Sequence, residues 1–98
     1  MYLILIYDIS ISSDEKLKNA DAKSMRKVFK ICKKYLTHIQ DSVFEGELSD
    51  PQLLKLKSEL KKVLRFEKDS CIIFSARNNI WMKKEFLTKE NDLTSNFL

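Results

Sequence analysis

The sequence predicts an α+β domain with the element order β-α-β-β-α-β, the ferredoxin-like arrangement in which an antiparallel sheet carries two helices on one face. Two unbroken apolar runs, at the start of the chain and after residue 69, indicate buried strands. Between them, two stretches repeat apolar residues at helical spacing, and a segment rich in β-forming residues separates these stretches. With 98 residues, the chain is expected to form one domain with a modest core.

The first predicted strand is Tyr2–Ile9, with the sequence YLILIYDI. A half-buried strand alternates apolar and polar residues, so this continuous run indicates a central strand that is covered on both faces. Its one carboxylate, Asp8, is costly to bury unless it is paired, hydrogen-bonded or bound to a metal ion. Asp8 is therefore the first candidate functional residue, and capping of the following loop is its structural alternative.

The next segment, Ser10–Ala20, is polar and shows no repeat, so it is predicted to be a long, mobile loop. Asp21 is the expected N-cap of the first helix. The apolar stripe of this helix comprises Met25, Val28, Phe29, Cys32, Tyr35 and Leu36. Its other sides carry a basic ridge, defined as Lys23, Arg26, Lys27, Lys30, Lys33 and Lys34.

The β-forming segment His38–Leu48 is predicted to be a strand pair or a bulged strand. The break is expected near Asp41–Ser42 or at Gly46, the only glycine in the chain. Either position supplies residue types that are common in turns and bulges.

The second helix is predicted to begin at Ser49 or Asp50, either of which suits an N-cap. Pro51 fits the first turn, and Ser49 with Gln52 fits a capping box. Leucines and a valine then follow at helical spacing, at Leu53, Leu56, Leu60, Val63 and Leu64.

The last predicted strand is Ser70–Ala76, followed by a short apolar segment at Ile80–Met82. We therefore expect a ferredoxin-like domain over residues 1–82 and a C-terminal tail over residues 83–98. Two helices on one face of the sheet leave the other face open, although the first strand is apolar on both sides. A second copy of the sheet is the simplest cover, so a homodimer is expected.

Basic residues outnumber acidic ones by 18 to 14, and the excess is local. Between Lys16 and Lys34 there are eight basic residues and a single acidic one, Asp21. Such a surface suits a phosphate backbone, with a solvated lysine-rich face as the alternative. Apolar runs are too short to span a bilayer and no basic leader is visible, so the sequence predicts a cytoplasmic protein without a membrane partner.

Several common chemistries lack their motifs in this chain. A single glycine excludes Gly-rich phosphate loops, and no GxSxG motif accompanies the single histidine. One histidine and two cysteines make a zinc site improbable, and Cys32 and Cys71 are expected to be buried free thiols. What remains is Asp8, and two copies related by a two-fold axis would bring two such carboxylates to one Mg²⁺ ion.

Seven residues are predicted to contact nucleic acid. Tyr7 and Phe44 are candidates for stacking on bases, with core packing as their alternative role. His38 is interpreted as a phosphate contact or a structural residue. The remaining four belong to the basic ridge and are Arg26, Lys27, Lys30 and Lys34.

Four segments together resemble the CRISPR-associated protein 2 family, over roughly residues 2–82. They are LILIYDI at Leu3–Ile9, KVFKICKKYL at Lys27–Leu36, HIQDSVFEGEL at His38–Leu48 and DSCIIF at Asp69–Phe74. The resemblance implies a ferredoxin-like homodimer whose C-terminal strand pairs with the partner subunit's sheet.

The same resemblance implies a role in CRISPR spacer acquisition, where the dimer binds the integrase and holds incoming duplex DNA. It also implies a Mg²⁺-dependent endonuclease that cuts single-stranded RNA or duplex DNA, with Asp8 as the catalytic residue and metal ligand across the two-fold axis. Two alternatives remain open. One is a non-catalytic nucleic-acid-binding scaffold, and the other is a toxin-like ribonuclease of the same fold.

Overall fold

The computed structural model describes residues 1–78 and 82–88. Its strands form one sheet in the order β2-β3-β1-β4, and all neighbouring strands are antiparallel. The predicted ferredoxin-like α+β fold is therefore confirmed. The elements are β1 (Tyr2–Asp8), α1 (Glu15–Tyr35), β2 (Thr37–Gln40), β3 (Val43–Glu47), α2 (Asp50–Val63) and β4 (Ser70–Ala76).

Strand β1 is completely covered on one face only, so the prediction that both its faces are covered is wrong for the single chain. Leu3, Leu5 and Tyr7 are buried beneath the helices, whereas Ile6 and Asp8 on the opposite side are exposed. The physical reason is that both helices pack on the same face of the sheet. We call the other side the open face.

The core lies between the sheet and the two helices. Phe44 of β3 and Leu56 of α2 have no exposed surface, and Val28 and Cys32 of α1 are likewise completely buried. Cys32 is a free thiol, as predicted, and burial raises its pKa to about 12. Cys71, also free, is only half-buried. Among the described residues, no helix is long and apolar enough to cross a membrane.

Helix α1 begins earlier than predicted, because Glu15–Ala20 is helical and not a loop. Asp14 is the N-cap, and its carboxylate accepts a hydrogen bond from the Lys16 backbone nitrogen at 2.9 Å. The first turns contribute little to the core, and Leu17 is 45% exposed. No apolar stripe therefore marks them in the sequence. Asp21, predicted as the N-cap, is instead buried inside the helix.

The break between β2 and β3 falls at Asp41 and Ser42, as predicted. Asp41 adopts a φ of 40°, in the left-handed region that aspartate tolerates better than most residues. Gly46, the other predicted break, lies within continuous β3. A Cβ atom there would lie 2.9 Å from Leu36 Cδ2, so the glycine allows β3 to pass close to the end of α1.

Helix α2 has the predicted capping box. The Ser49 hydroxyl accepts from the Gln52 backbone nitrogen at 3.3 Å, and the Ser49 backbone nitrogen donates to Gln52 Oε1 at 2.9 Å. Strand β4 spans Ser70–Ala76, as predicted. Of the predicted segment Ile80–Met82, only Met82 lies within the described residues.

Part of the open face is covered by the chain itself. Glu45 of β3 has no exposed surface, forms an ion pair with Lys84 and accepts a hydrogen bond from the Tyr2 hydroxyl. Burial and the neighbouring Glu45 raise the pKa of Tyr2 well above its usual value. The apolar residues nearer Asp8 stay open, with Ile72 and Phe74 half exposed.

Replacing Leu56 with alanine should lower the free energy of unfolding by about 2–5 kcal/mol, because it removes a completely buried side chain and leaves a cavity. Leu54→Ala is the matched control on the same helix. Its side chain is 70% exposed, so a change within about 0.5 kcal/mol is expected. Urea unfolding at one protein concentration measures both. Similar losses in the two variants would contradict this packing.

Candidate metal site and nucleic-acid interface

Asp8 lies exposed at the end of β1 on the open face. Its register partner on β4 is Ser70, and the neighbouring open-face pair on the same two strands is Ile6 and Ile72. In the described residues, no cluster of three or more histidine, cysteine or acidic residues could hold a metal ion. Asp8 is therefore a single accessible carboxylate beside an apolar surface, and the expected burial is absent from the single chain.

An ionic network fixes the loop that follows Asp8. The Arg65 guanidinium donates to the Ser10 carbonyl oxygen at 3.0 Å, to Asp69 Oδ1 at 2.9 Å and to Asp69 Oδ2 at 3.0 Å. It also forms an ion pair with Asp21. Asp69 Oδ1 accepts from the Ser10 backbone nitrogen at 3.1 Å. We call this set of residues the Arg65 network.

The network favours the charged form of each of its three ionisable members. Hydrogen bonds from the Ser12 backbone and from Arg65 lower the pKa of Asp21. The hydrogen bonds from Arg65 likewise lower the pKa of Asp69. In return, Asp69 and Asp21 raise the pKa of Arg65. The loop is thus held by charges that persist at neutral pH.

Sequence reasoning missed the Arg65 network as a site. Arg65 is 44 residues from Asp21, and Ser10 is 59 residues from Asp69. No local motif joins residues so far apart. Only the packing of the α2–β4 connection against the β1–α1 loop brings them together.

Residues of the basic ridge differ in whether they form an ion pair. Arg26, Lys27 and Lys30 are exposed, and within the described part of the chain none of them forms an ion pair. Lys34, in contrast, forms an ion pair with Glu59 of α2. The first three are therefore available to phosphates, whereas Lys34 is engaged in joining the helices.

Four rings form an aromatic cluster under the middle of α1. Phe29 packs against His38 and Phe44 with ring centroids 5.0 and 5.4 Å apart, and Tyr7 stacks on Phe44 at 6.0 Å. Phe44 has no exposed surface, so a base cannot reach its ring in this protomer. His38 Nε2 lies 2.8 Å from the Asp41 carbonyl oxygen and donates to it, because a carbonyl can only accept.

An open cleft of about 570 Å³ lies beside this cluster, between α1 and the β2–β3 turn. It brings together three of the predicted nucleic-acid-binding residues, Tyr7, Arg26 and Lys30. Two further lining residues were assigned only to the core stripe, because helical periodicity cannot distinguish a cleft wall from a core contact. The lining residues are Tyr7, Met25, Arg26, Phe29, Lys30, Asp41 and Ser42.

Comparisons with known proteins agree on one family. The family model described as CRISPR associated protein Cas2 matches residues 1–84. The CRISPR-associated endoribonuclease Cas2 of Fusobacterium nucleatum subsp. nucleatum is 51% identical over 98 residues, which cover 100% of this chain and 87% of that protein. The CRISPR-associated endoribonuclease Cas2 2 of Moorella thermoacetica is 38% identical over 96 residues, which cover 98% of this chain and 100% of that protein.

Solved structures give the same answer for the fold. The crystal structure of Streptococcus pyogenes Cas2 at pH 6.5 superposes with a TM-score of 0.73 at 25% identity, covering 90% of this chain and 100% of that chain. A second crystal structure, described as cas2, gives a TM-score of 0.70 at 31% identity, covering 94% of this chain and 91% of that chain.

Asp69→Asn should destabilise the protein at neutral pH, because the amide keeps the shape of the side chain but loses its charge beside Arg65. The lowered pKa of Asp69 means that its contribution is present above the usual value of 3.8. It is lost as the pH falls below that value and through the lowered pKa. The stability difference from wild type should therefore shrink as the pH falls below about 4.

Urea midpoints measured across this pH range test the prediction, with Glu67→Gln as the control. Glu67 is exposed, and no ion pair involves it within the described residues. Glu67→Gln should leave the pH dependence of the urea midpoint the same as in the wild type. A difference for Asp69→Asn that stays constant through the acid range would show that the charge of Asp69 does not stabilise the fold.

Proposed function

The chain belongs to the CRISPR-associated protein 2 (Cas2) family, and from this premise we propose that it is a dimeric scaffold for the integrase in CRISPR spacer acquisition. We further propose a Mg²⁺-dependent endoribonuclease activity at Asp8 of two copies. The relatives named endoribonucleases support the nuclease part. The observation that carries the proposal is the exposed Asp8 beside the apolar patch of Ile6, Ile72 and Phe74 on the open face.

The open face supports a homodimer. Ile6 is 38% exposed, and Ile72 and Phe74 are 50% and 51% exposed on the adjacent strand. Contiguous apolar surface of this kind is unfavourable in water and is commonly an interface. A second copy of the same face would cover it, and a two-fold axis near the end of β1 would place two Asp8 carboxylates opposite each other.

Two facing carboxylates fit a magnesium site better than the single chain does. Mg²⁺ prefers six oxygen ligands, commonly one or two carboxylates with waters. One chain supplies only Asp8, whereas two copies supply two carboxylates whose mutual repulsion a cation would relieve. A bound Mg²⁺ would polarise a phosphodiester and promote its hydrolysis. The Arg65 network contributes by holding the loop after Asp8 in one position.

The scaffold role is supported by the unpaired part of the basic ridge. Arg26, Lys27 and Lys30 lie on exposed turns of α1, where phosphate contacts release counterions from a nucleic acid. Such contacts do not depend on sequence, as a protein that holds varied incoming DNA requires. The C-terminal strand would pair with the partner subunit's sheet, and the cytoplasm stays the predicted location.

A non-catalytic scaffold is the second candidate function. It is favoured by one observation: Arg26, Lys27 and Lys30 are exposed and form no ion pair in the described part of the chain, and their binding to phosphates needs no catalytic group. The toxin-like ribonuclease considered from the sequence is less well supported, because the family match extends over residues 1–84 of a CRISPR-associated family.

Asp8→Asn should reduce Mg²⁺-dependent cleavage of single-stranded RNA by about 100-fold or more, because it removes the charge of the proposed metal ligand. Glu47→Gln is the matched control, since Glu47 is an exposed carboxylate on β3 at the other end of β1. Gel-based cleavage assays with and without a chelator give the readout. Undiminished cleavage by the purified Asp8→Asn protein would contradict a catalytic role.

Reversing three charges, Arg26→Glu, Lys27→Glu and Lys30→Glu, should weaken duplex DNA binding and block integration. The logarithmic salt dependence of affinity should lose about 0.9 units for each phosphate contact removed. The control reverses Lys55, Lys61 and Lys62 on α2, which are equally charged and exposed. Asp8→Asn should leave duplex binding unchanged. Equal losses in the two triple variants would show that net charge alone sets the affinity.

A further inference from the structure

We propose that the cleft between α1 and the β2–β3 turn holds a single unpaired nucleobase, with the adjoining phosphate on Arg26 and Lys30. We call it the base cleft. This inference rests on the proposed nucleic-acid function and names the part of the substrate that this site takes. Its occupant is one nucleotide of a single strand, and a base within a duplex is excluded.

The walls of the base cleft suit the flat face of a base. Phe29, half-buried, supplies most of the aromatic surface, Tyr7 contributes only its small exposed part, and Met25, 38% exposed on α1, forms an apolar edge. The volume of about 570 Å³ lies in the usual range for small-molecule sites, about 300–1,000 Å³. Unpaired bases are commonly bound by stacking on aromatic side chains, a contact that any base can make.

The Tyr7 hydroxyl lines the same cleft and has no hydrogen-bond partner in the described part of the protein. Tyr7 is only 6% exposed, and among the described residues its hydroxyl makes no hydrogen bond. Unsatisfied buried hydroxyls are rare and costly. Burial raises the pKa of Tyr7, so the hydroxyl keeps its proton at neutral pH. The nitrogens and oxygens of a base edge would supply the missing partner.

The rim of the cleft carries the complementary charge. Arg26 and Lys30 are four residues apart, so they lie one turn apart on the same side of α1. Neither has an ion-pair partner within residues 1–78 and 82–88. With Asp41 as the single acidic lining residue, these two cations leave the lining net positive, which matches a nucleotide, a base joined to a phosphate.

The base cleft and Asp8 lie at the same end of the sheet. Tyr7 and Asp8 are consecutive in β1 and face opposite sides, and the Tyr7 nitrogen donates to the Ser42 carbonyl at 3.2 Å. A single-stranded nucleic acid with one base in the cleft would therefore be anchored next to the edge of the sheet that carries Asp8. A base inside a duplex is stacked and paired, so it would have to be extruded first.

The test uses Asp8→Asn protein in a chelating buffer, so that binding is measured without cleavage. The probe is a short single-stranded oligonucleotide with one 2-aminopurine, whose fluorescence falls on stacking. Met25→Glu in this background should weaken binding about tenfold or more, because it places a carboxylate in the apolar wall of the cleft and repels the phosphate. Leu54→Glu carries the same charge change on an exposed residue of α2 and should stay within about twofold.

A second measurement leaves the cleft residues intact. An oligonucleotide of abasic nucleotides with one base should bind about tenfold more tightly than a fully abasic one, given the usual strength of stacking. Met25→Glu should weaken the binding of duplex DNA of equal length less than it weakens single-strand binding, because a paired base does not enter the cleft. An absent fluorescence change, equal affinity for the two abasic strands, or equal weakening of single-strand binding by the two variants would each overturn the proposal.

These outcomes are separable from those of the proposed function. One outcome is that the 2-aminopurine fluorescence falls and Met25→Glu weakens single-strand binding more than Leu54→Glu does, while the wild type cleaves no RNA. This outcome would establish the base cleft and contradict only the nuclease proposal. Cleavage that depends on Asp8, without quenching or an advantage for the single base, would overturn the base cleft and retain the nuclease.

Discussion

Strand β1 is hydrogen-bonded on both edges, to β3 on one side and to β4 on the other. Its side chains alternate, so Tyr7 faces the helices while Asp8, the next residue, faces the open side. A shift of one residue in this register would move every side chain of β1 to the opposite face of the sheet. Both proposed sites therefore depend on the same strand pairing, one on each face of the sheet.

The open face contains residues that favour association of two copies and a residue that opposes it. Ile6, Ile72 and Phe74 favour association because they are exposed in the single chain. Asp8 opposes it, since a second copy would bring a like charge close. On the other side of the apolar patch, Glu45 is already neutralised by Lys84 and covered. Asp8 is therefore the charge next to the apolar patch that a dimer must accommodate, and a shared cation would do so.

The sequence predicted the fold well because its strongest signals are local. The apolar run of β4 and the capping box of α2 depend on neighbouring residues alone, and both lie where expected. The start of α1 was missed because its first turns, from Glu15 onward, have little contact with the core and therefore no apolar stripe. Local patterns could indicate elements but could not show which face of β1 stays open.

The candidate site was only partly predictable for the same reason. Asp8 is the single charged residue in an apolar run, so the local sequence alone identifies it as a candidate. The Arg65 network joins residues far apart in the chain, so only the packed fold reveals it. Phe44 and Tyr7 are equivalent in sequence terms, yet packing buries the Phe44 ring completely and leaves Tyr7 lining the cleft.

The central claim is that two copies close the open face with their Asp8 side chains opposed. A crystal structure of the dimer grown with Mg²⁺ tests it through the distance between the two Asp8 carboxylates. A shared ion with two Mg–O bonds of about 2.1 Å predicts a separation of about 4–5 Å. Carboxylates more than about 8 Å apart, or a dimer that leaves Ile6 and Phe74 exposed, would contradict the account.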